Sequence, residues 1–135
     1  MTTSGAAGNT SASQSSAHRL AALLLGVGSL HFLAPKPFDG IIPTELPGSP
    51  RLYTYASGVA EVATGAALLA PRLRRLGALA AIAVFIGVFP GNVNMVRLWW
   101  PKGWPARIVA LARLPLQVPM VTEAVKAYRN SPGVN

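Results

Sequence analysis

Six polar side chains fall inside otherwise apolar stretches of this 135-residue chain: His31, Ser57, Glu61, Asn92, Asn94 and Arg113. Glu61 is the only charged residue between Leu52 and Ala70, a run that reads as a membrane-spanning helix. A charge at the centre of such a helix costs about 2.5 to 3.5 kcal/mol by insertion scales, so it turns inward and pairs. His31, Asn92 and Arg113 are the groups able to answer it. Pairing with Arg113 would make a buried ion pair that either fixes helix register or holds a proton or ligand, and the residues leave both readings open. His31 reads as a hydrogen-bonded helix-end histidine rather than a metal ligand, because the only other histidine, His18, lies near the opposite end of the same segment. That placement also leaves no bis-histidine haem site within one copy. Asn92 and Asn94 read as helix-end caps, and Asp39 and Glu45 as solvated loop acids. No nucleophile motif, glycine-rich phosphate loop or metal signature occurs, so no catalytic residue and no metal ligand is assigned.

The elements that must position these groups are set by composition. Hydrophobic residues make up 51% of the chain and charged residues only 12%, whereas soluble domains average about a quarter charged. The chain therefore reads as one domain solvated by a lipid bilayer. The net charge of +8 does not indicate nucleic acid as a partner, because the basic residues stand at the ends of apolar segments rather than along one face or in one tail. Cysteine is absent, which excludes a disulfide, a thiolate metal site and a dithiol relay within the chain. Residues 1–17 are uncharged and polar, and are expected to form a disordered tail. A four-span domain follows over 18–128, and 129–135 reads as a flexible tail. The expected spans run from Arg19 to Ala34, Leu52 to Ala70, Leu76 to Met95 and Ala106 to Val125, each near the lower end of a crossing length. The first reads as a retained anchor rather than a cleaved signal, since no small-x-small site precedes Pro35.

Prolines at 35, 37, 43, 47 and 50 forbid a long helix between the first two spans, so that stretch is expected to be a broken cap over the bundle. Pro71 to Arg75 reads as a tight basic turn. Tyr53, Ser57, Glu61 and Thr64 recur at helical spacing beside Gly58 and Gly65, forming a stripe that should face a close neighbour. The fourth span carries Pro115 and Pro119 and is expected to kink there, leaving carbonyls that Gln117 or Arg113 could reach. Antiparallel threading places His31, Glu61, Asn92 and Arg113 in the same half of the bundle. Six basic residues lie on the face holding both termini against five on the other, so both termini are expected in the cytoplasm of a multi-pass cell-membrane protein. Trp99, Trp100 and Trp104 then read as anchors at the outer interface.

The segments GSLHFLAPKPFDGIIPTELP (28–47), SGVAEVATGAALLAP (57–71), FPGNVNM (89–95) and RLPLQ (113–117), in that order, resemble the DoxX-like four-helix integral membrane proteins of bacteria. The resemblance covers most of residues 20–125. It implies an all-α, antiparallel four-helix membrane bundle with a Pro-rich loop between the first two helices and both termini cytoplasmic. It places the family's His-Phe on His31 and Phe32, its membrane Glu on Glu61, its Phe-Pro-x-Asn on Phe89, Pro90 and Asn92, and its Arg-Leu-Pro on Arg113 to Pro115. It also implies a link to membrane oxidoreductase and sulfur-redox assemblies, although the cysteines that relay dithiols in related branches are missing. Two readings follow. The favoured one is a non-catalytic subunit or anchor with membrane oxidoreductase subunits as partners. The alternative is a stand-alone site or enzyme for a quinone or lipid-like molecule built on Glu61 and Arg113, in a chain that crosses alone or as a homo-oligomer.

Overall fold

The computed structural model describes residues 4–131, with side chains described from Gln14 onward. The described residues are all helical apart from turns, with no strand among them. The helices are α1 (Ser4–Leu33), α2 (Pro35–Asp39), α3 (Pro50–Leu69), α4 (Arg74–Gly87), α5 (Phe89–Trp99) and α6 (Trp104–Asn130), with a 3-10 turn over Trp100–Lys102. Among the described residues, three helical stretches are long and apolar enough to cross a membrane: Gln14–Leu33, Arg74–Lys102 and Trp104–Asn130. The 20-residue α3 is not one of them, because Thr54, Ser57, Glu61 and Thr64 lower its apolarity.

The polar lead expected to be disordered over 1–17 departs from that expectation: α1 begins at Ser4, so residues 4–17 are helical, and residues 1–3 lie outside the described part. The reason is tertiary. Ala17 is fully buried in a cluster with Ala124 and Ala127 of α6, and Arg19 bridges to Glu123 at 3.0 Å. Small side chains of this kind let two helices approach closely enough to gain dispersion contacts. At the other terminus, Arg129 and Asn130 continue α6, and residues 132–135 lie outside the description.

Helix α1 packs most extensively on α3, α3 on α4, and α6 on both α4 and α1. The apolar core lies at the end of the molecule that holds the α4 start and the α6 end, where Leu20, Leu24, Leu68, Ala78, Ala81 and Phe85 close together. Arg74 is buried there and its Nε–H donates to the Leu68 carbonyl at 2.8 Å, its Nη2–H to the Leu69 carbonyl at 3.2 Å. It thereby satisfies acceptors that the end of α3 leaves without intrahelical partners. Glycine makes two of these approaches possible: a Cβ on Gly65 would lie 2.8 Å from the Leu25 side chain, and one on Gly77 would lie 2.9 Å from the Leu68 backbone nitrogen.

The third apolar stretch is interrupted at Val88, which separates α4 from α5. Pro90 has no N–H to give to a preceding carbonyl and occupies the first turn of α5, where that loss costs least. The sixth helix runs through both Pro115 and Pro119 without a break. Among the described residues, no hydrogen bond from Gln117 or Arg113 reaches the carbonyls that those prolines free. The connection from Ala34 to Ser49 is the expected broken cap, with α2 as its one ordered turn.

Candidate functional site

The α1–α3 contact is built on matched spacings, Gly28-x-x-His31 on one helix and Gly58-x-x-Glu61 on the other. The helices are placed so that Gly28 faces Glu61 and Gly58 faces His31: an added Cβ at Gly28 would lie 3.0 Å from the Glu61 Cβ, and one at Gly58 would lie 2.9 Å from the His31 Cβ. Each glycine thus lets the two helices approach, Gly28 against Val62 and Glu61 and Gly58 against Phe32 and His31. The result is that His31 Nδ1 sits 3.2 Å from Glu61 Oε2. Both residues are buried, at 6% and 7% exposed.

The same Nδ1 lies 2.7 Å from the Val27 carbonyl oxygen, one helical turn earlier. Only a protonated Nδ1 suits that carbonyl, since a nitrogen lone pair would face an oxygen lone pair. With the proton directed at Val27, Glu61 Oε2 is left buried with no hydrogen-bond partner among the described residues. The Nδ1 proton thus serves one acceptor and leaves the other without a hydrogen bond, although ring and carboxyl group stay in contact. The Phe38 ring of α2 stacks on the imidazole, with centroids 3.8 Å apart and planes at 20°. An aromatic lid of this kind keeps water from the pair and so strengthens its electrostatics.

The cap that carries Phe38 is itself fastened. The Thr54 hydroxyl donates to Asp39 Oδ1 at 2.6 Å and the Arg51 Nε–H to Oδ2 at 2.8 Å. The Thr54 hydrogen bond is the main cause that holds the Asp39 carboxyl below the usual carboxylate range, with the Arg51 hydrogen bond and charge adding to it. The expectation of a solvated Asp39 is therefore corrected: it ties α2 to the first turns of α3. Glu45 is also engaged, 3.3 Å from Arg97 on the exposed surface. The Asn94 side-chain amide donates to the Ile41 carbonyl at 3.0 Å, so Asn94 holds the cap down rather than capping its own helix. Tyr53 donates its hydroxyl to the Pro47 carbonyl. Beneath this part of the cap, Ile42, Pro43, Thr44, Leu46, Gly48, Pro50 and Tyr53 line a cavity of about 140 Å³.

Of the six polar positions singled out by sequence, the structure brings His31 and Glu61 together. It buries Asn92 and Asn94 and leaves Ser57 half-buried on α3. Arg113 departs from its expected place. It is exposed and makes no hydrogen bond or ion pair among the described residues, so the Glu61–Arg113 pair does not form and His31 is the group beside Glu61. The physical reason is proximity: the reciprocal glycines draw α1 onto α3, whereas α6 packs mainly on α1, α4 and α5. Phe38 and the Asp39–Thr54–Arg51 latch are the site residues that sequence reasoning missed. The signal available was the aromatic and acid spaced one residue apart in a Pro-rich loop, which does not by itself select Thr54.

No group of three or more His, Cys, Asp or Glu able to hold a metal ion occurs among the described residues. The tryptophans stand at one end of the helices with cations over their rings, Lys102 at 5.0 Å from Trp99 and Arg107 at 4.8 Å from Trp100. Trp104 is 71% exposed. A family model described as a domain of unknown function, DUF8561, matches residues 20–128, which includes every residue of the site. The chain belongs to this family. Neither the curated proteins nor the solved structures give a match. The site of this DUF8561 member is thus defined by its own geometry: one buried histidine–carboxylate contact, a stacked aromatic lid and a hydrogen-bonded latch.

Proposed function

We propose that this protein is a membrane-embedded, non-catalytic subunit or anchor of a redox assembly, built as an antiparallel four-span bundle with both termini cytoplasmic. The observation that carries the subunit reading is Arg113, an exposed cation with no partner among the described residues inside a helix apolar enough to span. An isolated arginine at that position is costly in lipid, and proteins that retain one pair it. Four spans are supported by the closed set of helix contacts that joins α1 to α3, α3 to α4, α4 to α6 and α6 to α1. In that arrangement α3 turns its polar stripe inward, which lets a helix of lower hydropathy cross. The orientation is supported by the basic residues at the ends that hold both termini. The redox assignment rests on the DoxX-like resemblance of the quoted segments. With no cysteine in the chain, its part in such an assembly is to hold and position partners.

A second reading is favoured by one specific observation, the buried Glu61 Oε2 without a hydrogen-bond partner. In that reading His31 and Glu61 form a polar contact for a quinone or lipid-like molecule, and Arg113 is not part of the site. Extraction into lipid nanodiscs followed by native mass spectrometry separates the two. A complex of fixed stoichiometry with an identified membrane oxidoreductase subunit supports the subunit reading. A single chain carrying a quinone that Glu61→Gln loses supports the second.

A further inference from the structure

We infer that α6 docks, through the face centred on Arg113, against a membrane helix of the partner that carries a carboxylate near the middle of the bilayer. This deepens the subunit reading and rests on it. Ala106, Ala110, Leu114, Gln117, Val121 and Ala124 recur at the three-and-four spacing of one helix stripe. Ala110 and Ala124 in that stripe are buried and Ala106, Leu114, Gln117 and Val121 are half-buried, while Arg113 beside Leu114 is exposed. The stripe is therefore the packed side of α6, and Arg113 stands at its edge, where the described helices of this chain leave it uncovered.

Depth selects the kind of group that fills the opening. Arg113 lies nine residues after Trp104, about 14 Å along the helix, against a hydrocarbon half-thickness of about 15 Å. Tryptophan marks the interface, so a phosphate beyond it is out of reach even though helical side chains lean toward the helix start, here the Trp104 end. A lipid headgroup is thereby disfavoured and a carboxylate on a second membrane segment fits.

The chain's own acids exclude a second copy as the source. There are four acidic residues. Asp39 is held by Thr54 and Arg51, Glu45 by Arg97, and Glu61 is buried against His31. Glu123 is engaged by Arg19 and Lys126, and it lies ten residues from Arg113 along α6. A parallel pair of copies therefore brings no free carboxylate to the depth of Arg113. Val109 and Leu116, both exposed, flank the cation and supply the apolar contact.

The test places a photocrosslinking amino acid at Val109 or Leu116, and as a control at Val118 on the far side of α6, with irradiation in native membranes. An adduct is expected at 109 and 116 but not 118, to one protein whose identified sequence has Asp or Glu within a membrane segment. The adduct should fall by about tenfold or more in Arg113→Gln and Arg113→Glu and persist in Arg113→Lys. Exchanging the charges, Arg113→Glu with the partner acid changed to arginine, should restore it. Unchanged melting of Arg113→Gln in detergent shows that the loss is not unfolding. If melting falls, the same comparison is made on Arg113→Lys against Arg113→Met, matched in apolar length. Adducts only to lipid, adducts only to a second copy, no adduct at 109 or 116, or an adduct indifferent to Arg113 would each overturn the inference. An identified partner whose adduct ignores Arg113 overturns the docking site while leaving the subunit reading intact.

Discussion

Removing His31 should destabilise the protein through the carboxylate it leaves behind, and removing the charge of that carboxylate should reverse the loss. In His31→Leu the side chain opposite Gly58 keeps its approximate bulk, but Glu61 is left buried at 7% exposure with its Oε2 lacking both a hydrogen bond and the imidazole 3.2 Å away. Leaving one member of a buried polar pair without its partner costs about 1 to 3 kcal/mol, more where it stays charged. Glu61→Gln alone preserves shape and removes the charge, and its amide has both a donor and an acceptor, so its cost is about 1 kcal/mol or less. The double variant His31→Leu/Glu61→Gln should then be more stable than His31→Leu by about 2 kcal/mol, a coupling well outside the ~0.5 kcal/mol within which independent sites add. The assay is unfolding in mixed micelles by titration with a denaturing detergent, followed by the fluorescence of Trp99, Trp100 and Trp104. If His31→Leu costs less than about 1 kcal/mol, or if Glu61→Gln adds to that cost instead of relieving it, the contact is not the buried pair argued for.

Two glycines on the helices should respond oppositely to alanine. Gly77→Ala places a methyl 2.9 Å from the Leu68 backbone nitrogen and 3.0 Å from the Ala67 carbonyl carbon, atoms that move only if α3 and α4 separate, and should cost about 1 to 3 kcal/mol. Gly26→Ala meets nothing within 4 Å and should gain about 0.5 to 1 kcal/mol from helix propensity, both read in the same detergent titration. The cap should loosen in acid. Asp39 is held below its ordinary range first by the Thr54 hydroxyl and then by Arg51, so its stabilising contribution is complete above about pH 4, the unfolded carboxyl value, and is lost as pH falls through the lower folded value. Amide exchange over residues 40–49, corrected for intrinsic rate, should therefore rise at the lowest pH in the native chain and show no such step in Asp39→Asn; a step that survives the substitution would contradict the latch.

Much of the helical content was legible in the sequence because apolar runs between proline and arginine clusters leave few alternatives in lipid. The stripe of Gly58, Glu61 and Gly65 is likewise read directly from spacing, and it does face a close neighbour. The error at Arg113 came from depth alone: antiparallel threading gives each residue a height, but which helix lies next to which decides who meets whom. Gly28 held the missing information, since its spacing to His31 repeats that of Gly58 to Glu61, and two such pairs run antiparallel bring the ionisable groups into contact. The helical start at Ser4 was not visible either, because a serine- and alanine-rich lead has no apolar periodicity and gains its order from α6. The role of Asp39 depended on Thr54, fifteen residues away, a pairing that only the folded cap supplies.

Helix α3, although less apolar than its neighbours, is expected to cross the membrane with them and carry Glu61 into the hydrocarbon. The native chain has no cysteine, so single cysteines at Thr44, Arg72, Lys102 and Ser131 report one position each to a membrane-impermeant thiol reagent. Thr44 and Lys102 should label from outside intact cells, and Arg72 and Ser131 only after the membrane is opened. Labelling of Thr44 and Arg72 from the same side would leave α3 outside the bilayer and contradict this crossing.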